Sequence, residues 1–266
     1  MADLIQRFSL DSRQVFITGG TGYLGRAMVF GLAELGANVI INGRNRERVE
    51  QFADELCKMG FKATPAVFDI NNEQEVRNWF RQYGDAPLHG LVNNAYAGGA
   101  GSVETASDEE YRNSFEVSLV SAHRLLQYAL PGLRAAVREC GNASVVNMGS
   151  MYGLVSPDQR IYGSKQVANP PFYAAAKAAL LQWTRYAACE FGPECIRVNA
   201  ISPGPFPSTV VQSANPDFIA TLANKVPMGR IGRAEEIQGP LSFLISDAST
   251  FVNGTNLVVD GGWTCW

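Results

Sequence analysis

Tyr173 and Lys177 are four residues apart in the segment Tyr-Ala-Ala-Ala-Lys, and together they could move a proton. On a helix this spacing places both side chains on one face. A nearby ammonium group favours the phenolate and so lowers a tyrosine pKa from its usual value of about 10. Such a phenol can donate a proton to a carbonyl or accept one from an alcohol near neutral pH. The same spacing is common in surface pairs, so a second signal is needed.

A glycine-rich segment near the start of the chain supplies that signal. In Thr18–Gly25 (TGGTGYLG), Gly20, Gly22 and Gly25 match the pattern G-x-G-x-x-G. The segment follows a predicted strand and opens a predicted helix, which is the context of a dinucleotide-binding loop. Glycines let the backbone approach a pyrophosphate, and the helix N-terminus offers N–H donors. An ordinary glycine turn is the alternative interpretation.

The end of the second predicted strand indicates which dinucleotide is bound. NAD sites usually carry Asp or Glu there to bind the ribose 2′-hydroxyl. This chain has Asn42-Gly43-Arg44-Asn45-Arg46 instead, without a carboxylate. Arg44 is suited to a 2′-phosphate, so the sequence favours NADP(H) over NAD(H). The alternative is a solvated arginine at the start of a helix.

A sheet must bring these residues together, and the hydrophobic pattern predicts one. Short runs rich in Val and Ile alternate with amphipathic helices, which is typical of a parallel sheet with helices on both faces. We expect a Rossmann-type, doubly wound α/β fold of about seven strands, formed as a single domain over residues 1–266. The predicted strands are 14–18, 37–42, 61–68, 89–93, 144–148, 196–201 and 256–259, and the predicted helices are 23–35, 45–59, 73–83, 108–138, 173–190 and 233–244.

Composition excludes several other classes of protein. The 266 residues are 46% hydrophobic and 18% charged, which is too apolar for a disordered chain. A net charge of −3, without a Lys/Arg-rich run, argues against a nucleic-acid partner. Two histidines leave too few ligands for a His-built metal site, so no metal is expected. Five scattered cysteines, no long apolar run and no signal-peptide pattern predict a cytoplasmic protein with free thiols and no membrane partner.

With the glycine loop and the Tyr–Lys pair identified, the chain resembles the short-chain dehydrogenase/reductase family over nearly its whole length. Eight segments match that family's motifs in order: Thr18-Gly19, Asp69-Ile70, Asn93-Asn94-Ala95, Asn147–Ser150, Tyr173 with Lys177, Arg197–Gly204, Gly229–Arg233 and Asp260–Gly262. The C-terminal half matches the compact type. The glycine loop looks like that of the extended type, because Tyr23 replaces a glycine usual in compact members. The chain also resembles members labelled gluconate 5-dehydrogenase.

The resemblance implies an enzyme that interconverts a secondary alcohol and a ketone. It makes Tyr173 the general acid/base, and Lys177 the residue that binds the nicotinamide ribose and lowers the Tyr173 pKa. Ser150 would hydrogen-bond the substrate oxygen, and Asp69 would contact the adenine. The implied cofactor contacts are Thr18, Gly19, Gly20, Gly22, Tyr23, Leu24, Gly25, Arg44, Asn45, Asp69, Ile70, Asn93, Ala95, Pro203, Gly204, Pro205 and Phe206, together with Tyr173 and Lys177.

Two further departures from the family concern the site itself. Members often carry an Asn in the long helix to support a proton-relay water, but that position here is Ser118. A serine can also order a water, so the relay stays open. Ser150 and Tyr173 are 23 residues apart, which is more than is usual in compact members, so residues 151–171 form an insert. Tyr162 within it stands at the usual spacing from Ser150 and is the rival acid/base.

The insert 151–171 and a variable segment at 205–228, which members use as a substrate lid, carry the substrate prediction. The insert is rich in hydrogen-bonding groups such as Asp158 and Arg160, although a surface elaboration or subunit contact is the alternative. The polar residues of the lid are Ser208, Thr209, Gln212, Ser213, Asn215 and Asp217. Polar walls fit a polyhydroxylated compound, so we expect a sugar, sugar acid or polyol-like substrate.

Two other functions stay open. A 3-oxoacyl-thioester reductase would be supported by a basic patch at the site entrance, because acyl carrier proteins are acidic. A non-catalytic NADP(H)-binding sensor is a different class, and family members of that kind usually lose the Tyr or the Lys. Both residues are present in this chain.

Apolar residues on two predicted helices suggest self-association. The helices at 108–138 and 173–190 carry more apolar surface than one sheet face needs, and the resemblance implies a subunit interface there. We expect a homotetramer, or else a homodimer. The tail Trp263–Trp266 ends in two tryptophans that are costly to leave in water. We expect both to pack at a subunit interface or near a neighbour's site.

Overall fold

A parallel sheet forms the centre of the fold, as the pattern predicted. The computed structural model describes residues 3–96 and 98–266. Within them lie seven strands: β1 (Gln14–Ile17), β2 (Asn38–Gly43), β3 (Lys62–Val67), β4 (Gly90–Asn93), β5 (Ala143–Met148), β6 (Ile196–Pro203) and β7 (Asn256–Val259). All pair in parallel, in the order β3-β2-β1-β4-β5-β6-β7. The order reverses between β1 and β4, where such sheets open a binding crevice.

Helices cover both faces of this sheet. They are α1 (Tyr23–Glu34), α2 (Arg46–Lys58), α3 (Glu73–Tyr83), α4 (Asp108–Phe115), α5 (Ser121–Cys140), α6 (Pro171–Phe191), α7 (Thr209–Ala214), α8 (Pro216–Lys225) and α9 (Gln238–Ile245). Strand residues alternate between two cores because successive side chains point to opposite faces. Val15 and Ile17 pack in the core with α1, α2 and α9, whereas Phe16 packs in the core with α3, α5 and α6.

Two predicted helices differ from the observed ones. The helix expected at 108–138 is divided into α4 and α5 by a π-turn at Glu116–Val120. The Ser121 hydroxyl donates to the Val117 carbonyl at 2.5 Å beside this widened turn. The helix expected at 233–244 begins as a 3₁₀ turn at Ala234–Ile237 and continues as α9. Each irregular turn shifts the hydrophobic spacing by about one residue at a single place, so periodicity averaged over a long helix does not reveal it.

The insert and the lid both lie beyond the carboxyl ends of strands. The insert after β5 contains three 3₁₀ turns, at Met151–Gly153, Gln159–Ile161 and Lys165–Val167. The lid after β6 folds into α7 and α8, and α8 begins at Pro216, where a helix tolerates proline. Both segments therefore stand over the edge of the sheet at which ligands are expected.

Other features of the chain bear on its partners. All five cysteines are free thiols. In the part of the chain that the structure describes, no helix is both long and apolar enough to cross a bilayer. Over residues 3–96 and 98–266, no cluster of three or more His, Cys, Asp or Glu side chains is arranged to hold a metal ion.

Candidate active site

The glycine loop between β1 and α1 has a shape that requires glycine. Gly19 adopts a φ of +61°, a region that favours glycine. A Cβ on Gly25 would lie 2.2 Å from the Gly19 carbonyl oxygen. Gly22 is the N-cap residue of α1, and it has no side chain to accept a hydrogen bond from the first turn. The N–H groups of that turn are left for another acceptor, so the loop fits the pyrophosphate of a dinucleotide.

Thr18 and Asn94 fasten this loop to the segment that follows β4. The Thr18 hydroxyl oxygen accepts hydrogen bonds from the N–H groups of Asn94 at 2.9 Å and Ala95 at 3.0 Å. The Asn94 side-chain amide donates to the carbonyls of Thr18 at 2.9 Å and Gly19 at 3.1 Å. Sequence reasoning gave Asn94 no separate role. Its place directly after a buried strand was the available signal.

The Asn93 side chain lies inside the sheet. Asn93 is 7% exposed, and its amide donates to Asn147 Oδ1 at 2.8 Å. The Asn147 amide in turn donates to the Thr184 hydroxyl at 2.9 Å. This chain of hydrogen bonds links β4, β5 and α6. The side chain of Asn93 therefore holds the strands in register beneath the site, whereas a cofactor contact was expected of it.

Arg44 presents a cationic group beyond the end of β2. Its side chain is 76% exposed, and its Nη1 lies 4.0 Å from Asp69 Oδ2. Asn45 is used locally, because its side chain caps α2 by accepting the N–H of Arg48 at 2.9 Å. The exposed guanidinium of Arg44 can therefore reach an anion beside the loop.

A cavity lies between the glycine loop and α2. It has a volume of about 260 Å³, and Thr21, Arg26 and Arg48 contribute to its lining. The Arg26 guanidinium stacks 3.8 Å from the centre of the Phe52 ring and pairs with Glu55 at 2.9 Å. The rim of the cavity thus carries donors from Thr21 and Arg48 together with the Glu55 carboxylate.

The turn after β6 packs tightly against two later segments. The Gly204 N–H donates to the Val259 carbonyl at 2.9 Å, and a Cβ on Gly204 would lie 2.5 Å from the Asp260 Cα. A Cβ on Gly232 would lie 2.5 Å from the Phe206 ring. The Pro203–Phe206 turn is therefore held rigidly at the carboxyl edge of the sheet.

Ser150, Tyr173 and Lys177 come together where β5 ends against α6. Ser150 is buried, and its hydroxyl oxygen accepts the N–H of Tyr152 at 3.1 Å. A hydrogen bond with Ser150 lowers the pKa of the Tyr173 phenol. Lys177 is 2% exposed, and its Nζ lies 5.7 Å from the centre of the Tyr173 ring. A hydroxyl, a phenol and an ammonium group thus converge beside the glycine loop.

Burial is the largest influence on the pKa of both Tyr173 and Lys177, and the lowering of the Tyr173 pKa by Lys177 stays a prediction. Burial raises the pKa of Tyr173 above its ordinary value, and Ser150 is the group that opposes this rise. Burial lowers the pKa of Lys177 to about 8. The Lys177 ammonium group donates to the Met148 carbonyl at 2.7 Å and not to the phenol. The lysine is therefore anchored to β5.

Ser118 lies in the π-turn and is buried. Its hydroxyl has no hydrogen-bond partner within the described residues. A buried hydroxyl of this kind is usually satisfied by a water or a ligand. The position thus suits a bound water, and a relay role for Ser118 stays a prediction.

Tyr162, the rival acid/base, belongs to the wall of the site. Its hydroxyl lies 3.0 Å from the Tyr152 hydroxyl, and its ring centre lies 5.7 Å from that of Phe218. Burial raises the pKa of Tyr162. These contacts place Tyr162 where the insert packs against the lid.

The inner face of the lid is apolar, which corrects the polar wall expected from its composition. Phe218, Ile219 and Leu222 of α8 pack in what we call the substrate-side cluster. This cluster consists of buried Met151, Tyr152, Ile161, Leu222, Val226 and Trp263, with Tyr162, Tyr173, Phe218 and Ile219 among the residues at its edge. Of the polar lid residues, Thr209, Ser213, Asn215 and Asp217 are exposed to solvent, whereas Ser208 and Gln212 are half-buried. Composition was misleading for α8, because that helix turns its apolar residues toward the cluster. The short helix α7 is not sorted in this way, since its Val210 is 76% exposed.

An ion-pair clasp joins the insert to the lid. The Asp158 carboxylate of the insert binds both Lys225 at the end of α8 and Arg160. These two cations hold the pKa of Asp158 well below its usual range. Asp158 and Arg160 were expected among the groups available to a substrate, but they bind each other and the lid instead.

Trp263 of the tail is a buried residue. It is 7% exposed within its own chain, where it packs in the substrate-side cluster. Its burial therefore does not require the subunit interface or the neighbour's site that the sequence predicted. Trp266 is 80% exposed. The two tryptophans of the tail therefore have different environments.

Tyr96 is a site residue that sequence reasoning missed. Its ring stands edge-on to the Tyr173 ring, with centres 6.1 Å apart and planes at 74°. The side chain is 64% exposed, and its proximity raises the Tyr173 pKa. The signal was a large aromatic residue placed directly after Asn93-Asn94-Ala95.

The chain is similar to known oxidoreductases along most of its length. A family model described as "Enoyl-(Acyl carrier protein) reductase" matches residues 22–264. A tropinone reductase homolog of Arabidopsis thaliana is 32% identical over 264 residues, covering 96% of this chain and 92% of that protein. A rhamnolipids biosynthesis 3-oxoacyl-[acyl-carrier-protein] reductase of Pseudomonas aeruginosa is 31% identical, covering 96% of this chain and 98% of that one. The crystal structure of a gluconate 5-dehydrogenase from Burkholderia cenocepacia, in complex with NADP and tartrate, superimposes with a TM-score of 0.87 at 29% identity and covers 99% of this chain and all of the other.

Proposed function

The chain belongs to the short-chain dehydrogenase/reductase family, and on that premise we propose that it is an NADP(H)-dependent enzyme interconverting a secondary alcohol and a ketone. The observation that carries the proposal is the convergence of Ser150, Tyr173 and Lys177 at the carboxyl edge of the sheet, beside a loop shaped for a pyrophosphate. Relatives named as reductases and dehydrogenases support the same class of reaction.

Each of the three residues has a proposed role. Tyr173 donates a proton to the carbonyl oxygen in reduction and accepts one from the alcohol in oxidation. Ser150 hydrogen-bonds the same oxygen and, through its contact with Tyr173, favours the phenolate. Lys177, fixed to the Met148 carbonyl, holds a positive charge near the nicotinamide ribose. When bound, the dinucleotide supplies or accepts the hydride at its nicotinamide carbon.

The residues of the loop and of β2 fit NADP(H). The first-turn N–H groups of α1 would bind the pyrophosphate, and the rigid Pro203–Phe206 turn would support the nicotinamide. Arg44, with donors from the cavity lined by Thr21 and Arg48, would bind the 2′-phosphate. The NADP in the complex of the gluconate 5-dehydrogenase supports use of this dinucleotide.

For the substrate, we propose a hydroxylated compound of the sugar, sugar acid or polyol type. Support comes from the similarity to the gluconate 5-dehydrogenase complexed with NADP and tartrate. The tropinone reductase homolog is of comparable similarity, so the names of relatives leave the shape of the carbon skeleton open.

A 3-oxoacyl-thioester substrate is the second candidate, and the relative from Pseudomonas aeruginosa favours it. An acidic carrier protein would need free cations at the entrance to the site. Arg160 and Lys225 share the Asp158 carboxylate, and Arg230 binds Glu236 through two contacts of 2.7 Å. Lys165 of the insert is exposed and in no ion pair among the described residues. A single such lysine makes a weak basic patch, so we rank this substrate below the hydroxylated one.

The enzyme is proposed to act as a homotetramer or homodimer through its long helices. The exposed side of α6 includes Tyr186, which is 70% exposed. Light scattering after gel filtration tests this proposal, since a monomer at micromolar concentration would contradict it.

Turnover by wild type and Tyr173→Phe, side by side, tests the proposed function. NADPH oxidation would be followed against keto-sugars, sugar acids, one reactive diketone and one 3-oxoacyl thioester. Loss of the acid/base phenol should lower kcat by roughly 10²- to 10⁴-fold, while NADPH binding persists. Tyr162→Phe is the matched control and should keep kcat, with any effect confined to KM. Full activity in Tyr173→Phe would overturn the assignment, and NADPH binding without any turnover would favour a sensor.

A further inference from the structure

The site is bordered by aromatic side chains on two sides. Tyr96 follows β4, which neighbours β5 on one side, and the lid carrying Phe218 follows β6, which neighbours β5 on the other. Ser150 at the end of β5 lies between these strands. Tyr96 meets the Tyr173 ring edge-on, and Phe218 packs in the substrate-side cluster with Tyr173 at its edge. A molecule held by Ser150 and Tyr173 therefore lies between two aromatic walls.

These walls offer apolar faces with few hydrogen-bonding groups. The lid turns Phe218, Ile219 and Leu222 inward, while Thr209, Ser213, Asn215 and Asp217 face solvent. The amide of the half-buried Gln212 donates to the Pro207 carbonyl at 2.8 Å. Asp158, Arg160 and Lys225 are tied to one another. An open-chain polyol carries a hydroxyl on nearly every carbon, and such walls would remove water from several of these groups without replacing the lost hydrogen bonds.

One polar feature does remain beside the catalytic residues. The hydroxyls of Tyr152 and Tyr162 lie 3.0 Å apart in the same cluster as Tyr173. Two phenols have two donor hydrogens, and their mutual hydrogen bond uses one of them. The backbone N–H of Asn169 also donates to the Tyr162 hydroxyl. The pair still keeps one donor and an unused lone pair, so it can bind one substrate hydroxyl in both directions.

We infer that the substrate is a ring, a cyclic ketone or alcohol, whose faces lie against Tyr96 and the lid and whose edge hydroxyl binds the Tyr152–Tyr162 pair. A ring separates apolar faces from a polar edge, whereas a flexible open chain does not. Ring faces also stack on aromatic side chains with little loss of conformational freedom. This inference rests on the proposed function and narrows its substrate class to ring-shaped compounds.

Pairs of ketones with matched carbon number test the inference. At saturating NADPH, kcat/KM is measured for cyclohexanone and 2-hexanone, which are both six-carbon ketones. Wild type should prefer the ring at least about tenfold. Tyr96→Ala should lower the ring-to-open-chain ratio by roughly 2- to 10-fold, the range for an aromatic contact. Tyr96→Phe keeps the ring system and should keep the ratio.

A distant aromatic residue provides the control. Phe251 is fully exposed and precedes β7, at the opposite edge of the sheet from the site. Phe251→Ala should therefore leave the ring-to-open-chain ratio unchanged.

A second pair of substrates tests the Tyr152–Tyr162 hydroxyls. In wild type, kcat/KM for 4-hydroxycyclohexanone should exceed kcat/KM for cyclohexanone. Tyr162→Phe should lower this ratio about fivefold, as expected for the loss of one hydrogen bond.

The outcomes separate this inference from the proposed function. Equal or better use of 2-hexanone, with both activities lost in Tyr173→Phe, would overturn the ring inference and leave the function standing. If neither ketone is reduced, calorimetric titration of cyclohexanol and 2-hexanol into the enzyme–NADP⁺ complex decides. Preferential binding of the ring alcohol would support the inference, and equal binding or none would overturn it.

Discussion

The cofactor side and the substrate side of the site are built by different means. On the cofactor side the backbone sets the geometry, and a Cβ on Gly25 would lie 2.2 Å from a carbonyl oxygen. On the substrate side, side chains distant in sequence set the geometry, and Asp158 and Lys225 are 67 residues apart. Backbone geometry on the cofactor side permits few residue types at each position, so it appears in the sequence as a motif. Side-chain contacts on the substrate side can be made by many residue pairs, so they leave no motif in the sequence.

The same contrast appears in how each side is held. Thr18 and Asn94 fasten the glycine loop with four hydrogen bonds that involve backbone groups. The insert and the lid are held by an ion-pair clasp and by aromatic contacts between Tyr162 and Phe218. Side-chain contacts of this kind exchange more readily than a buried backbone network. We therefore expect the substrate side to be the more mobile of the two.

Alanine at two glycines gives the largest expected difference between the sides. Gly25→Ala forces a methyl group into the Gly19 carbonyl, so NADPH affinity should fall by more than about 100-fold. The matched change Gly163→Ala, in the insert, meets nothing within 4 Å and should leave affinity unchanged. Both are measured by NADPH fluorescence titration. Similar NADPH affinities for the two variants would contradict the conclusion that backbone geometry determines the cofactor side.

Lys177 lies where the cofactor side and the substrate side meet, and burial lowers its pKa to about 8. This lowered pKa gives the second largest expected effect, a change of stability with pH. Between pH 8 and the unfolded value of 10.5, the unfolded chain binds more protons at this residue than the folded one, so stability rises with pH. Wild type should gain about 2 to 3 kcal/mol in its free energy of unfolding relative to Lys177→Met across that window. Urea denaturation at pH 7.5 and pH 10 measures this gain. Parallel pH dependences would show that the lysine is not desolvated.

Substitution of Arg44 tests whether the cofactor side recognises the 2′-phosphate of NADP(H). Arg44→Ala removes a charge-assisted contact to a 2′-phosphate, so KM for NADPH should rise about tenfold while KM for NADH stays the same. Arg46→Ala is the control, because Arg46 is paired with Glu50 at 2.7 Å. An equal rise in KM for both dinucleotides would refute 2′-phosphate recognition by Arg44.

The clasp gives the smallest expected effect and reports on the substrate side alone. Asp158→Asn weakens the link to Lys225, so limited proteolysis within residues 205–228 should become faster while NADPH affinity is unchanged. Asp108→Asn, which disrupts an exposed pair with Arg112 at 3.2 Å, should not alter the cleavage rate. An unchanged rate in Asp158→Asn would mean that the aromatic contacts alone secure the lid.

Sequence reasoning succeeded where backbone geometry limits the choice of residue. The glycine loop, the alternation of buried strands and helices, and the seven parallel strands were all predictable, because each follows from local spacing and burial. The convergence of Ser150, Tyr173 and Lys177 followed from motifs whose order the family resemblance supplied.

Sequence reasoning failed where three-dimensional sorting decides the outcome. The lid was expected to be polar inside because Thr209 and Asp217 are polar, but helix geometry turns them outward. Tyr96 was missed because its importance comes from its distance to Tyr173, not from a spacing along the chain. The pKa balance at Tyr173 likewise depends on burial, which no motif expresses.

The π-turn at Glu116–Val120 has a consequence for insertions and deletions. A π-turn holds one more residue than a regular helical turn, so removing any one residue from it would restore an unbroken α-helix. Such a deletion would leave the relative orientation of α4 and α5 nearly unchanged, because a π-turn and an α-turn with one residue fewer complete about the same rotation. Ser114 would therefore keep the Phe172 carbonyl, to which its hydroxyl now donates at 3.2 Å. The buried Ser118 hydroxyl lies within the widened turn, so a single-residue deletion here should alter the surroundings of Ser118 while the helices on either side stay in place.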